Sequence, residues 1–170
     1  MKLLTHMKSI TNCWFKNRSL KNKNKMLEEL VKLYKYDKLT GFLLRHDYEI
    51  DIKESCSNLY NTYLTIIDIN RLHYINETYG YVAGDKHIIT VGKAIKRRLG
   101  DGVAYRIGGD EFAVITHANV TDLNLPNTVS STVLLSENTD YREIMEFVKE
   151  DLATKKAKWY HERGIERRCN

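Results

Sequence analysis

A glycine-rich turn between two short apolar segments constrains the fold of this chain more than any other feature. Residues 103–107 and residues 112–116 are largely apolar, and the tetrapeptide 108–111, Gly-Gly-Asp-Glu, separates them. Two apolar segments joined by a turn that contains glycine predict a β-hairpin. The tip of this hairpin would present two neighbouring carboxylates, Asp110 and Glu111.

Another apolar segment predicts a strand in the middle of the same sheet. Residues 63–69 read Tyr-Leu-Thr-Ile-Ile-Asp-Ile, a β-branched and aromatic run without polar alternation, as in strands that are covered on both faces. If this strand lies beside the hairpin, Asp68 meets Asp110 and Glu111 at one edge of the sheet. Taken alone, each feature also fits an ordinary turn or a solvated acid at a strand end.

Three crowded carboxylates repel one another unless a cation neutralises them. Hard oxygen ligands of this kind suit Mg²⁺, which proteins commonly share with the phosphates of a substrate. Two such ions about 4 Å apart can activate an attacking hydroxyl and stabilise a pyrophosphate leaving group. The three acids therefore predict a nucleotidyl-transfer site.

The remaining periodic segments complete an α+β fold. They predict helices at residues 20–36, 84–99 and 141–160, and a strand at residues 128–135. Gly100 should end the second of these helices, and Asp140 should cap the third. The order helix, strand, helix, hairpin, strand, helix is most economically arranged as an antiparallel sheet covered by helices.

The first 36 residues are expected to stand apart from this sheet. Residues 1 to about 18 lack a clear period and predict an irregular lead-in. The helix of residues 20–36 either pairs with a second copy or docks on the chain's own core. We therefore divide the chain into a segment of residues 1–36, a domain of residues 37–165 and a basic tail of residues 166–170.

Length and charge bound the function without deciding it. With 170 residues the chain can bury one core and has no room for a second catalytic domain. The net charge is +5, and basic residues crowd residues 16–25 and 155–168. This excess favours polyphosphate, nucleic acid or acidic surfaces, although such runs are also ordinary solvated helix faces. We predict no DNA partner.

Cysteine usage and hydropathy predict a cytoplasmic protein without integral membrane contact. Cys13, Cys56 and Cys169 are far apart, form no Cys-x-x-Cys pair and follow no secretory leader, so we expect reduced thiols. No apolar stretch approaches the roughly 20 residues that cross a bilayer. Any membrane contact is expected to be peripheral.

Three segments of the chain carry motifs in a fixed order. They are residues 37–42 with Arg45, then residues 68–70, 75–80 and 84–85, and then residues 106–112, Arg-Ile-Gly-Gly-Asp-Glu-Phe. They resemble the opening motif, the nucleotide-binding segment and the signature turn of the GGDEF diguanylate cyclase family. The resemblance implies a ferredoxin-like βαββαβ palm. In that family two palms, each holding one GTP, face each other and form cyclic di-GMP with release of pyrophosphate.

The resemblance also implies roles at the metal. Asp68 and Asp110 would ligate Mg²⁺ or Mn²⁺ together with the backbone carbonyl of Ile69. Glu111 would assist metal binding and the activation of the 3′-hydroxyl. The implied partners are therefore GTP and a second copy of the chain.

Other matched residues would contact the nucleotide. Asn76 and Asp85 would hydrogen-bond the guanine edge, unless they only cap the helices around them, which is a common use of Asn and Asp. Gly108 and Gly109 would let the backbone approach the phosphates, which a Cβ would obstruct.

Several substrate-side positions depart from the family pattern. His73 stands where a lysine would face phosphate, Tyr81 replaces a histidine, and Asn70 replaces a second aspartate. A mostly neutral imidazole substitutes poorly for an ammonium near pH 7. Lys158, in a sequence similar to the family's terminal motif, would grip the triphosphate. We assign His73, Tyr81 and Lys158 to substrate binding.

Three further departures concern the framework. Residues 116–128 leave no room for a helix that the family places there, so the domain looks shortened. Arg98 and Asp101 have the form of the family's inhibitory motif but stand one residue out of its spacing, which predicts a helix-end and a turn residue instead. For Asp37 and Arg45 we expect a structural salt bridge that orients the opening segment.

Three functions are open at this stage. The first is a metal-dependent homodimeric cyclase that makes cyclic di-GMP from two GTP. The second is a degenerate palm that binds GTP or a cyclic dinucleotide without turnover and signals to a partner through its N-terminal helix. The third is a minimal cyclase with another nucleotide product.

Overall fold

The computed structural model describes residues 2–57, 62–117, 125–135 and 140–165, with only the backbone described for residues 2–16 and 54–57. The chain divides into two compact units, Met1–Tyr36 and Asp37–Asn170. The side chains of the three cysteines and the basic tail of residues 166–170 lie outside the described parts. The same is true of residues 118–124, where the shortening of the domain is expected.

The first unit is one helix, α1, which spans Lys2–Lys35. The irregular lead-in predicted for residues 1 to about 18 is therefore wrong. No proline or glycine occurs between residues 2 and 35, so nothing interrupts the backbone hydrogen bonds even where the apolar period is unclear. Large apolar side chains are exposed along the second half of α1, namely Leu20, Met26, Leu27, Leu30, Val31, Leu33 and Tyr34.

The second unit is built on a five-stranded sheet with the order β1-β3-β4-β2-β5. The strands are β1 Leu43–Leu44, β2 Thr62–Ile69, β3 Val103–Arg106, β4 Glu111–Thr116 and β5 Thr128–Leu135. Only the β1–β3 pair is parallel. The predicted hairpin is β3–β4, and the predicted central strand, β2, lies between β4 and β5. The sheet thus has the antiparallel ferredoxin-like core that the sequence predicts.

Helices cover both faces of this sheet. They are α2 Arg45–Ser57, α3 Leu72–Tyr79, α4 Tyr81–Arg98 and α5 Tyr141–His161. Gly100 follows α4 with a φ of 59°, and the Asp140 carboxylate accepts from the backbone N–H of Arg142, so both predicted helix ends are confirmed. Apolar periodicity did not predict α2 or α3. Among the side chains of α2 that the structure describes, residues 45–53, the buried apolar ones are Tyr48 and Ile52, and α3 is eight residues long.

Alternation along β2 divides the core into two clusters. Ile67 and Ile69 pack on the α4 side with residues such as Val91 and Ile95. Leu64 and Ile66 pack on the other side, with α2 and α5. Successive side chains of a strand point to opposite faces, so Asp68 lies on the same face as Leu64 and Ile66. The last acid of the central strand is therefore directed to the side of the sheet that α5 covers.

Within the described ranges, none of the helices has an apolar stretch long enough to span a bilayer.

Candidate functional site

The backbone brings the three predicted acids to one edge of the sheet. Asp68 is paired directly with Glu111 across the β2–β4 ladder. The N–H of Ile69 donates to the carbonyl of Asp110 at 2.9 Å, which holds the hairpin tip beside the end of β2. The N–H groups of Ile107 and Gly108 both donate to the carbonyl of Glu111 and close the turn. This adjacency is the one that the two separate segments predict.

The side chains do not form a ready three-carboxylate cage. In the part of the chain that the structure describes, no three His, Cys, Asp or Glu side chains are grouped closely enough to hold a metal ion. The Glu111 side chain folds back over the turn, where its Oε2 would lie 2.7 Å from a Cβ added at Gly108. A Cβ at Gly109 would meet no described atom within 4 Å, so space is open beside the turn.

Asp68 is an acid of the site with a strongly raised pKa. Its side chain is 10% exposed, and its Oδ1 is buried without a hydrogen-bond partner among the described residues. The pKa of Asp68 is raised to about 6, chiefly by burial; the charges of Asp110 and Glu111 add to the rise, and Lys156 opposes it. A buried, unpartnered carboxylate oxygen near two more acids is a donor set that fits Mg²⁺ or Mn²⁺.

Lys156, the cation nearest this acid, was not predicted from the sequence as a residue of the site. Lys156 Nζ donates to Asp68 Oδ2 at 2.7 Å. The signal was present, because Lys156 continues the buried stripe of α5 at four-residue steps from Ile144, Val148 and Leu152. By contrast Lys158, which the terminal motif assigns to the triphosphate, is 75% exposed, and its Nζ lies 3.9 Å from Oε1 of Glu162, the residue that follows α5.

Asn76 and Gly84 pack tightly where α3 meets α4. A Cβ at Gly84 would overlap the side-chain oxygen of Asn76. Asp85 follows on α4 and is exposed. Neither Asn76 nor Asp85 caps a helix, since both lie within helices and Gly80, which precedes α4, makes no side-chain cap bond. The helix-cap role considered for these two polar residues is therefore wrong.

The substituted positions lie on α3 and at the start of α4. His73 Nε2 lies 3.1 Å from Glu77 Oε1, one turn away on the same helix, with both side chains largely exposed. Tyr81 is 79% exposed. Asn70 is buried, and both polar atoms of its amide are without a partner in the described parts of the chain. The family substitution at Asn70 thus places an unsatisfied neutral amide two residues after Asp68.

Arg106 links the opening segment to the hairpin tip. Its Nη1 donates to Asp37 Oδ1 at 2.9 Å and its Nη2 donates to the carbonyl of Gly109 at 2.7 Å. Burial would raise the pKa of Asp37, but hydrogen bonds from Thr40 and the charge of Arg106 outweigh it and hold that pKa below its usual value. The predicted salt bridge is therefore made with Arg106.

Two other framework residues are also placed. Arg45 pairs with Glu49 on the exposed surface of α2 and not with Asp37, because it points along its own helix. Arg98 Nη1 donates to the carbonyl of Ala94 at the end of α4, and Asp101 lies in the turn that follows. Arg98 and Asp101 are a helix-end and a turn residue, as the spacing predicts.

Known proteins match the segment that holds this site. The sequence model described as "Diguanylate cyclase, GGDEF domain" matches residues 34–132, which include Asp68, Asp110 and Glu111. The chain belongs to this family. Membership confirms the family that the motifs predict. The match covers the GGDEF domain, and the other domains of longer relatives lie outside it.

Curated relatives of this GGDEF chain are longer than it is. The probable diguanylate cyclase DgcC of Escherichia coli is 31% identical over 72% of this chain and 40% of its own length. The cyclic di-GMP phosphodiesterase PdeB of Shewanella oneidensis is 30% identical over 66% of this chain and 13% of its own length. The GGDEF chain thus spans less than half the length of either relative.

Solved structures share the fold of the GGDEF chain. The coiled coil and GGDEF domain of DgcB from Caulobacter crescentus, in complex with c-di-GMP, has a TM-score of 0.73 at 18% identity and covers 91% of this chain and 94% of that one. A diguanylate cyclase/phosphodiesterase from Caldicellulosiruptor saccharolyticus has a TM-score of 0.63 at 25% identity and covers 76% of this chain and 91% of that one. These likenesses confirm the predicted α+β class.

Proposed function

We propose that this GGDEF chain is a cyclase that joins two GTP molecules into cyclic di-GMP and releases pyrophosphate, as a homodimer with Mg²⁺ or Mn²⁺. The observation that supports it best is the environment of Asp68. Its carboxylate is buried at the end of the central strand, and the charges of Asp110 and Glu111 raise its pKa. Such a cluster of acids gains most from a divalent cation and from the phosphates that the cation carries.

Asp68, Asp110 and the carbonyl of Ile69 would hold the metal. When bound, it supplies activation of a hydroxyl and neutralises the charge of the departing pyrophosphate. Glu111 lies directly across the ladder from Asp68 and would accept the proton of the attacking 3′-hydroxyl as a general base. The open space at Gly109 would admit the phosphates against the backbone.

Asn76 and Asp85 would select guanine. Guanine presents a ring N–H and an amino group side by side, and the Asp85 carboxylate can accept from both. Adenine has a ring acceptor at the same place, which a carboxylate repels, so GTP is preferred over ATP. Tyr81 lies one helical turn from Asp85 on the same face of α4 and would pack against the base.

The two residues assigned to the triphosphate are already paired with carboxylates. His73 is paired with Glu77 on α3, and Lys158 is paired with Glu162 just after the end of α5. Each of these two cations therefore has to leave a carboxylate before it meets the phosphates. We propose that His73 and Lys158 make weak contacts with the phosphates.

A second copy of the chain is required because each palm offers one guanine site and the product contains two guanines. The exposed apolar side chains of α1, defined above as those from Leu20 to Tyr34, offer a surface for pairing with a second α1 or with a signalling partner. Because GTP is a cytoplasmic nucleotide, the proposed reaction places the protein in the cytoplasm.

A GTP or cyclic-dinucleotide sensor without turnover is the second candidate. The observation that favours it is the pairing of Lys156 with Asp68, which already neutralises the central acid. A cyclase with another nucleotide product is less well supported, because the residues of the guanine site are retained.

The test is to incubate the purified chain with each nucleoside triphosphate and Mg²⁺ or Mn²⁺ and to identify products by mass spectrometry. We expect cyclic di-GMP from GTP alone, at a rate per chain that rises with protein concentration because two copies are needed. Asp110→Ala should abolish the product. Asp101→Ala is the matched control, since it removes an exposed acid from a neighbouring turn outside the site.

Two results would decide against the cyclase. GTP binding without any product at high protein concentration would establish the sensor. A product that contains another base would establish the third candidate and remove the guanine assignment of Asn76 and Asp85.

A further inference from the structure

The ion pair between Lys156 and Asp68 joins the last helix to the acid at the end of the central strand. Its two atoms lie 2.7 Å apart, and the side chains are 24% and 10% exposed. The pair bridges 88 positions of sequence and closes the side of the site that α5 covers. Solvent reaches it poorly, so its charges are screened less than those of a surface pair.

This contact occupies one of the two oxygens with which Asp68 could bind a metal. Lys156 donates to Oδ2, while the buried Oδ1 has no partner in the described parts of the chain. An ammonium and a divalent ion on one carboxylate lie within a few ångströms of each other. Two cations this close repel each other, and a partly buried site screens that repulsion less than water does. The carboxylate therefore holds one of the two cations well, and not both.

We propose that Lys156 is an internal counter-cation of Asp68 that a divalent metal has to displace, so that Lys156 lowers the metal affinity of the nucleotide-free chain. This inference rests on the proposed function, in which Asp68 holds the metal. Lys156 acts through Asp68 and is a positioning residue. The metal-free chain keeps its central acid neutralised, and the metal gains access when the ammonium leaves.

The neighbouring Lys155 offers a matched control. Lys155 Nζ donates to Asp151 Oδ2 at 2.6 Å and to the carbonyl of Ser130 at 2.9 Å, away from the three acids. Lys156→Met and Lys155→Met each remove one positive charge from adjacent positions of α5. Only Lys156→Met removes a cation from Asp68, so a general effect of net charge would move both variants equally.

The experiment measures Mn²⁺ binding by isothermal titration calorimetry without nucleotide. We expect Lys156→Met to bind Mn²⁺ at least about tenfold more tightly than the wild-type chain, which corresponds to about 1.4 kcal/mol. Lys155→Met should match the wild type, and Asp68→Asn should lose the binding. These three results together would support the displacement.

A second measurement uses the wild-type chain, so that the outcome does not depend on how Lys156→Met folds. The side-chain ammonium of a hydrogen-bonded lysine exchanges slowly enough to give an NMR signal. We expect one such signal that is absent from Asp68→Asn and that disappears when Mg²⁺ saturates the wild type. Persistence of that signal in saturating Mg²⁺ would overturn the proposal.

The remaining outcomes separate this proposal from the proposed function. Wild-type binding that Asp68→Asn abolishes but Lys156→Met does not tighten would overturn the displacement and leave the metal site standing. Absence of Mn²⁺ binding from the wild type and from Lys156→Met would overturn the displacement, whereas the proposed function is decided separately by the products formed from GTP.

Discussion

Replacing Asp68 by asparagine should reveal the cost of its buried charge as a dependence of stability on pH. The folded-state pKa of Asp68 is about 6, against 3.8 for an ordinary aspartate, because burial and the nearby acids disfavour its charged form. Ionisation is then harder in the folded chain than in the unfolded chain. A raised pKa contributes stability that is fully present below about pH 4 and is lost as the pH rises through about 6.

The magnitude follows from the difference of about two pKa units. Each unit corresponds to about 1.4 kcal/mol, so the metal-free chain should lose about 3 kcal/mol of Asp68-linked stability between pH 4 and pH 7. Asparagine carries no charge at any of these pH values. At pH 4 the two chains are nearly alike at this position, because Asp68 is then protonated and Lys156 lacks a charged partner in both.

The assay is urea unfolding of the wild type and Asp68→Asn at several pH values in the presence of a chelator. The quantity of interest is the variant's unfolding free energy minus that of the wild type, because the other carboxylates cancel in this difference. It should rise by about 3 kcal/mol in favour of the variant from pH 4 to pH 7. A difference that stays flat, or that falls as the pH rises, would refute the buried-charge argument.

Three further substitutions test the framework of the site. Arg106→Met leaves Asp37 without its counter-ion and should cost about 3 kcal/mol in urea unfolding. Gly84→Ala drives a methyl group into the Asn76 amide, so it should cost about 1–3 kcal/mol and weaken GTP binding measured by calorimetry. Asp140→Ala removes the cap of α5 and should lower the free energy of unfolding by about 1 kcal/mol.

The arginine and glycine substitutions each have an internal comparison. Arg45→Met breaks an exposed pair on α2 and should change stability by less than about 1 kcal/mol, so an equal effect of both arginine variants would contradict the argument for Arg106. Gly109→Ala adds a methyl group in open space and should leave unfolding nearly unchanged. Unaltered GTP binding by Gly84→Ala would remove Asn76 from the guanine site.

Local pattern determined most of the sheet and the place of the acids. The hairpin, the central strand and the two longer helices of the palm follow from apolar periodicity and from glycine or aspartate at the ends of elements. These signals act over a few residues, so they can be read along the chain. The sequence also predicted that Asp68 lies beside the hairpin tip if the central strand and the hairpin are neighbours in the sheet.

The helix content was harder to predict where burial is sparse. Between residues 45 and 53, where its side chains are described, the helix α2 contributes Tyr48 and Ile52 to the core. The first half of α1 shows no apolar period although it is helical. A helix of this kind is held by a few anchors or by the absence of breaking residues. Neither leaves a periodic stripe in the sequence.

The sequence by itself determined the family, the α+β class and the residues that meet at the sheet edge. Only the tertiary structure decided which cation each acid takes: Lys156 for Asp68 and Arg106 for Asp37, at separations of 88 and 69 positions. From the sequence, Arg45 was expected in the salt bridge of the opening segment, and Lys158 was assigned to the triphosphate. The physical reason is that an ion pair depends on the face and depth at which two elements pack, and a residue's number along the chain specifies neither.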